Sequence, residues 1–160
     1  MNQTTAAIVS RQIVVEAPRE LAFTVFTERF GDFKPPSHNL LDAPIAATIF
    51  EPHVGGHIYD RDVNGAECRW ARILVFEPPQ LLVFSWNIGP TWELETDEAN
   101  ASEVEVRFVA ESPSRTRVEL EHRNFERHGN AWEAVRRGVA SDNGWSLYLA
   151  RFAKLFPVTG

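Results

Sequence analysis

The sequence predicts an α+β fold in which an antiparallel sheet is covered on one face by a long C-terminal helix. Three observations carry this. From Pro44 to Arg123 the chain is a series of β-rich runs separated by explicit turn signals. The last two runs alternate apolar and charged residues, so one face of the sheet is wet and the other is covered. Beyond them Trp145, Tyr148, Leu149, Phe152 and Phe156 recur at helical spacing and supply the cover.

The elements follow in order. "AAIVSRQIVVEA" is rich in β-branched residues and predicts a strand over about 7–16. Pro18 suits a first helical position, and Leu21, Phe23, Val25 and Phe26 give an apolar stripe lasting to about Thr27. "FGDFKPPSHNLL" reads as an irregular connection broken by Gly31 and Pro35-Pro36. Strands are expected at roughly 45–51, 56–61, 66–76, 81–87, 103–111 and 115–123. Asn64-Gly65, Pro78-Pro79, Asp97 to Ala101 and Ser112-Pro113 separate them, and such short connections make an antiparallel meander. Gly55-Gly56 is read either as a plain turn or as a bulge that curls the sheet.

Parity assigns the covered face. Leu82, Phe84 and Trp86 share one side, as do Val104, Val106 and Phe108, then Val118, Leu120 and His122. In "ECRWARILVF" both parities look partly buried. Pairing across the proline turn sets Ile73 near Phe84, which favours Glu67, Arg69, Ala71, Ile73 and Val75 inward. Near the C-terminus a short helix opens at Asn130, with Glu133 completing a capping box, and closes near Gly138. Ser141 is the expected N-cap of the final helix, which Pro157 ends.

A chain of 160 residues with 44% apolar content supports one core, so residues 1–160 are expected to form a single domain. The net charge of -6, with both signs interspersed, excludes a basic nucleic-acid groove. Arginine supplies almost all the positive charge, and its planar fork suits carboxylates. Cys68 stands alone, which rules out an intramolecular disulfide. The opening "MNQTTAAIVSRQ" lacks the basic start and apolar stretch of a secretion signal, so a cytoplasmic location is expected. The glycosylation-like triplets at Asn2 and Asn100 are then chance matches. No apolar run suggests a membrane partner. "HVGGH" places His53 and His57 at a metal-like spacing, but a double-glycine turn does not converge two imidazoles; no metal or other cofactor is expected.

"VVEAPRELAFTVFT", "VGGHIY", "FEPPQLLVFSW", "RVELEHRNF" and the "GW" at 144–145 appear in the order seen in the SRPBCC (START-like) superfamily. The chain resembles its branch of activator of heat-shock protein 90 ATPase homologues. That resemblance implies the helix-grip fold, a curved antiparallel sheet wrapped around the final helix with a ligand cavity between them. Phe84, Trp86, Phe108, Trp145 and Phe152, with Ile58, Ile73 and Leu149, are the expected wall, and His122 and Arg69 the orienting polar groups. Arg69 would meet a ligand carboxylate, Glu67 or Asp60, or else sit at a solvated strand end. The implied function is non-catalytic binding of a hydrophobic, apolar or aromatic small molecule. An alternative is a cyclase-, dehydratase- or hydrolase-like enzyme with His122 and Glu67 handling protons, and another is a chaperone-interacting module. A homodimer stays open. The chain departs from similar proteins in "RFGDFKPPSH", where Phe30 and Phe33 replace a more aromatic stretch, and in lacking a segment like the N-terminal chaperone-binding domain of the eukaryotic activators.

Overall fold

Pro18, extended at φ -61° and ψ 151°, sets the start of helix α1, Arg19–Glu28, immediately after strand β1, Val9–Val15. The structure, a computed structural model, describes residues 8–156. The expected strand start at residue 7, the Asn2 triplet and the terminating Pro157 lie outside that range. One-turn helix α2, Phe30–Phe33, follows α1, and then come strands β2, Ile45–Phe50; β3, His57–Asp62; β4, Glu67–Glu77; and β5, Leu81–Trp86. Strands β6, Ser102–Ser112, and β7, Arg115–Arg123, complete a seven-stranded sheet of order β1-β7-β6-β5-β4-β3-β2, antiparallel throughout. Helices α3, Trp132–Ala140, and α4, Trp145–Ala153, end the chain. No helix of the described residues is long and apolar enough to cross a membrane.

The meander and its turns agree with the sequence, and Gly55 and Gly65 both sit at φ +89°, where a side chain is strained. Gly55-Gly56 is the turn; the sheet's irregularities lie elsewhere. In β4, Ile58 pairs with Ala71 but Tyr59 with Arg69, leaving Trp70 as an extra residue. Ile73 then pairs with Phe84 as expected, but Val75 pairs with Val83, which leaves Leu74 extra. Each insertion flips the parity of the strand. Cys68 and Trp70 therefore point inward together with Ala71 and Ile73, while Glu67 and Arg69 are exposed on the outer face. The inward placing of Glu67 and Arg69 is thus corrected. Arg69 is bound to Glu67 at 2.9 Å and lies over the Tyr59 ring, 4.6 Å from its centroid.

The connection read as irregular is also corrected. "FGDF" forms α2, and Gly31 lets it approach β2, since a Cβ there would stand 3.1 Å from that of Thr48. Arg151 of α4 donates to the Phe33 carbonyl at 2.7 Å, tying α2 to α4. Phe26 then lies 5.1 to 5.7 Å from Phe30, Phe33, Phe108 and Phe152, mostly edge to face. All five rings are buried, each worth about 1.5–3 kcal/mol of transfer free energy. These rings occupy the space between mid-sheet and α4.

The C-terminal helices differ at their ends from expectation. Neither Asn130 nor Glu133 caps α3, which begins at Trp132 without a side-chain cap and runs through Gly138. Ser141 closes α3 instead of opening α4, its hydroxyl donating to the Gly138 carbonyl at 2.7 Å. Gly144 precedes α4, because a Cβ there would fall 2.0 Å from the Val139 carbonyl oxygen. Only glycine allows the two helices to approach so closely. The outer face carries a half-buried Arg and Glu ladder centred on Arg123, which bonds Glu103, Glu105 and Glu121.

Candidate functional site

Where β5 leaves the sheet, Asn87 organises the loop that follows. Its backbone N–H donates to the Trp70 carbonyl at 2.9 Å, and its side chain donates to the Glu95 carbonyl at 3.0 Å and Glu98 at 2.8 Å. Between those anchors Ile88 bridges Leu94 and Gly89 donates to Glu93 at 2.7 Å, a turn that carries Trp92 at its tip. Trp92 has φ 61°, an unfavourable conformation for so bulky a residue, and is half exposed. A large aromatic held out on a strained loop is a functional pointer, not a packing solution.

Facing this loop, α3 presents Ala134, Val135, Gly138 and Val139, and α4 presents Trp145 and Tyr148. Together with Trp86, Ile88, Trp92 and His38 they enclose an open-mouthed apolar cavity of about 180 Å³. That volume is close to the roughly 150 Å³ that accommodates a benzene ring in an apolar core. A larger flat molecule would seat one ring inside and run out beneath Trp92.

The polar side chains of the cavity wall are the exposed Asn143 and the pair His38 and Tyr148. His38 Nδ1 lies 2.8 Å from Tyr148 Oη, and its ring meets Trp92 edge-on with centroids 6.0 Å apart. Burial, then Lys34 and Arg151, holds the imidazole below its usual pKa of 6.5, and burial pushes the Tyr148 phenol above its usual 10. Both groups are neutral at pH 7. The backbone beside them is pinned by a buried ion pair: Lys34 Nζ stands 3.2 Å from Asp60 and also donates to the His38 carbonyl, while Thr48 donates to Asp60 at 2.6 Å.

The sequence-predicted residues divide into four groups. Trp86 and Trp145 line the cavity. Ile58, Ile73, Phe84, Phe108, Leu149 and Phe152 are packed into the core away from it, and Arg69 lies on the outer face. His122 sits behind the cavity wall, fully buried and stacked on Phe125 at 4.3 Å. Its Nδ1 accepts from the Trp145 indole N–H at 3.0 Å. Its Nε2 therefore carries the proton and donates to Ser102 Oγ at 2.7 Å, and Ser102 in turn donates to His128 Nε2 at 2.7 Å. Asn124, left-handed at φ 65°, turns the chain so that His128 returns over Ser102. Both His122 nitrogens are spent on the protein, so it has no free edge for a ligand, which corrects its placing as the orienting group. Burial, followed by His128 and Arg123, holds it neutral, with a pKa well below 6.5.

His38, Tyr148 and Trp92 are the residues that sequence reasoning missed as a site. His38 lies in a loop without period. Trp92 carried a usable signal, a lone tryptophan in the polar turn "IGPTW".

The family described as "Activator of Hsp90 ATPase homolog 1-like protein" matches residues 16–157. No match was found among curated proteins. The solved anthrahydroquino-gamma-pyrone synthase Txn09 is 41% identical over 93% of this chain and 96% of its own, with a TM-score of 0.66. The self-sacrificing resistance protein CalC from Micromonospora echinospora is 30% identical, with 92% of each chain covered and a TM-score of 0.67. Protein Ms6760 from Mycobacterium smegmatis, 14% identical over 100% of this chain and 96% of its own, shares the fold with a TM-score of 0.67.

Proposed function

The chain belongs to the activator of Hsp90 ATPase homolog 1-like family, and we propose that it binds a planar polycyclic aromatic molecule in the cavity between Trp92, α3 and the start of α4. The observation that carries this reading is the concentration of Trp86, Trp92 and Trp145 around one apolar space with a single imidazole at its wall. Flat aromatic walls gain most from flat aromatic ligands, through dispersion and offset stacking. An aliphatic chain would gain area but no stacking. Binding without chemistry is the primary reading, since a synthase and a resistance protein both stand at 30% identity or more and a cavity for a ligand is what such different roles have in common.

A second reading, a ring-forming enzyme, is favoured by the 41% identity to a synthase. In it the proton-handling groups would be His38 and Tyr148, the titratable residues that line the cavity, rather than His122 and Glu67.

Titration with anthraquinone-2-sulfonate, followed by tryptophan fluorescence, tests the binding reading. It predicts saturable one-to-one quenching in the parent, and an affinity loss of about 1 kcal/mol in Trp92→Ala from the missing stacking partner. Quenching that never saturates, or identical binding by Trp92→Ala, counts against it.

A further inference from the structure

The proton inventory around Tyr148 fixes what the cavity can recognise. Tyr148 is buried and its oxygen meets one partner among the described residues, His38 Nδ1. A neutral phenol has one proton to place, and a buried O–H without an acceptor is costly. The Tyr148 hydroxyl therefore donates to His38 Nδ1. A neutral imidazole that accepts at Nδ1 carries its hydrogen at Nε2, and Nε2 has no protein partner among the described residues. The loop is held in this pose by Lys34, which donates to the His38 carbonyl from within its buried pair with Asp60. The handle is thus a pre-oriented N–H donor. Resting on the cavity reading given above, we propose that His38 is a specificity-determining residue that selects a carbonyl oxygen on the bound arene, so that the ligand class is quinone-like ketones rather than oxygen-free polycyclic hydrocarbons.

A carbonyl acceptor satisfies Nε2–H in a space lined mostly by hydrocarbon and indole faces, with Asn143 exposed to solvent, and a ring without one leaves that donor stripped of water and unpaired. Tyr148 acts through His38: it fixes the tautomer and touches the ligand only through its ring.

The test uses a matched pair of probes, anthraquinone-2-sulfonate and anthracene-2-sulfonate, which share ring count and charge and differ in the two carbonyls. The quantity read is the ratio of their dissociation constants. His38→Phe should shift that ratio against the quinone by about fivefold to tenfold, leaving anthracene binding within about threefold of the parent; His38→Gln, which keeps an amide N–H, should retain part of the preference. A ratio unchanged in a His38→Phe protein that melts like the parent overturns the assignment while leaving the cavity reading intact. Failure of both probes to bind the parent overturns both. Should His38→Phe not fold, nitrogen-15 imidazole shifts of the parent decide: the Nε2–H tautomer is expected, and the Nδ1–H tautomer refutes the proposal.

Discussion

Replacing His122 by phenylalanine isolates the buried relay behind the cavity wall. The phenyl ring keeps the stack on Phe125, now 4.3 Å away, but offers neither nitrogen. Trp145, which is 1% exposed, loses the acceptor for its indole N–H, and an unpaired buried donor costs about 1–3 kcal/mol. Ser102 loses the donor from Nε2 but still donates to His128, a further loss of about 0.5–1.5 kcal/mol. His122→Phe should therefore destabilise the fold by about 1.5–4.5 kcal/mol. The single change also adds ring volume, so a cycle with Trp145→Phe is needed to separate the hydrogen bond from packing. If the bond is real, the double variant should be more stable than the sum of the singles implies, by at least about 1 kcal/mol. Urea unfolding monitored by far-ultraviolet circular dichroism measures all four proteins. Strict additivity, or a His122→Phe cost under about 0.5 kcal/mol, would refute the relay.

Two further outcomes follow from buried charge and buried imidazole. Lys34→Met leaves Asp60, 3% exposed at its side chain, without its cation and should cost about 3–5 kcal/mol, whereas Lys34→Met with Asp60→Leu should recover much of it; a single-variant cost below about 1 kcal/mol in urea would contradict a desolvated pair. His122, His38 and His128 all have folded pKa values depressed chiefly by burial, so between those values and 6.5 the unfolded chain binds more protons. Stability should accordingly be full above about pH 6.5 and fall below it, His122 alone giving a slope of up to about 1.4 kcal/mol per pH unit; equal urea midpoints at pH 7.5 and 5.5 would contradict this.

Most of the sheet was legible because its alternation is clean. The inward residues of β5, β6 and β7 are those that parity assigns, and Ile73 pairs with Phe84. β4 was not legible, since the extra residues Trp70 and Leu74 reset the period and an inserted residue leaves no mark in an apolar run. The cavity was misplaced for a related reason. Phe30 and Phe33 stand in a segment with glycine and prolines that reads as a loop, yet one helical turn aims both rings under α4 and fills the space where a ligand would otherwise lie. What remains open is the end of the sheet, where Gly144 draws α4 against α3 and Trp92 stands over the mouth. His122 was correctly turned inward by parity, but parity says nothing about partners. The acceptor role it plays for Trp145 depends on two segments 23 residues apart.

If a planar aromatic binds in the cavity under Trp92, filling that cavity from its wall should abolish binding. Gly138 shares the α3 face with Ala134, Val135 and Val139 on the cavity wall, and a Cβ added there meets nothing within 4 Å, so a larger side chain enters open space instead of backbone. Isothermal titration of anthraquinone-2-sulfonate into the parent and Gly138→Phe should show one site in the parent and at least tenfold weaker binding, about 1.4 kcal/mol, in a variant that melts no lower. Equal affinity in the two proteins would place the ligand elsewhere and contradict the account.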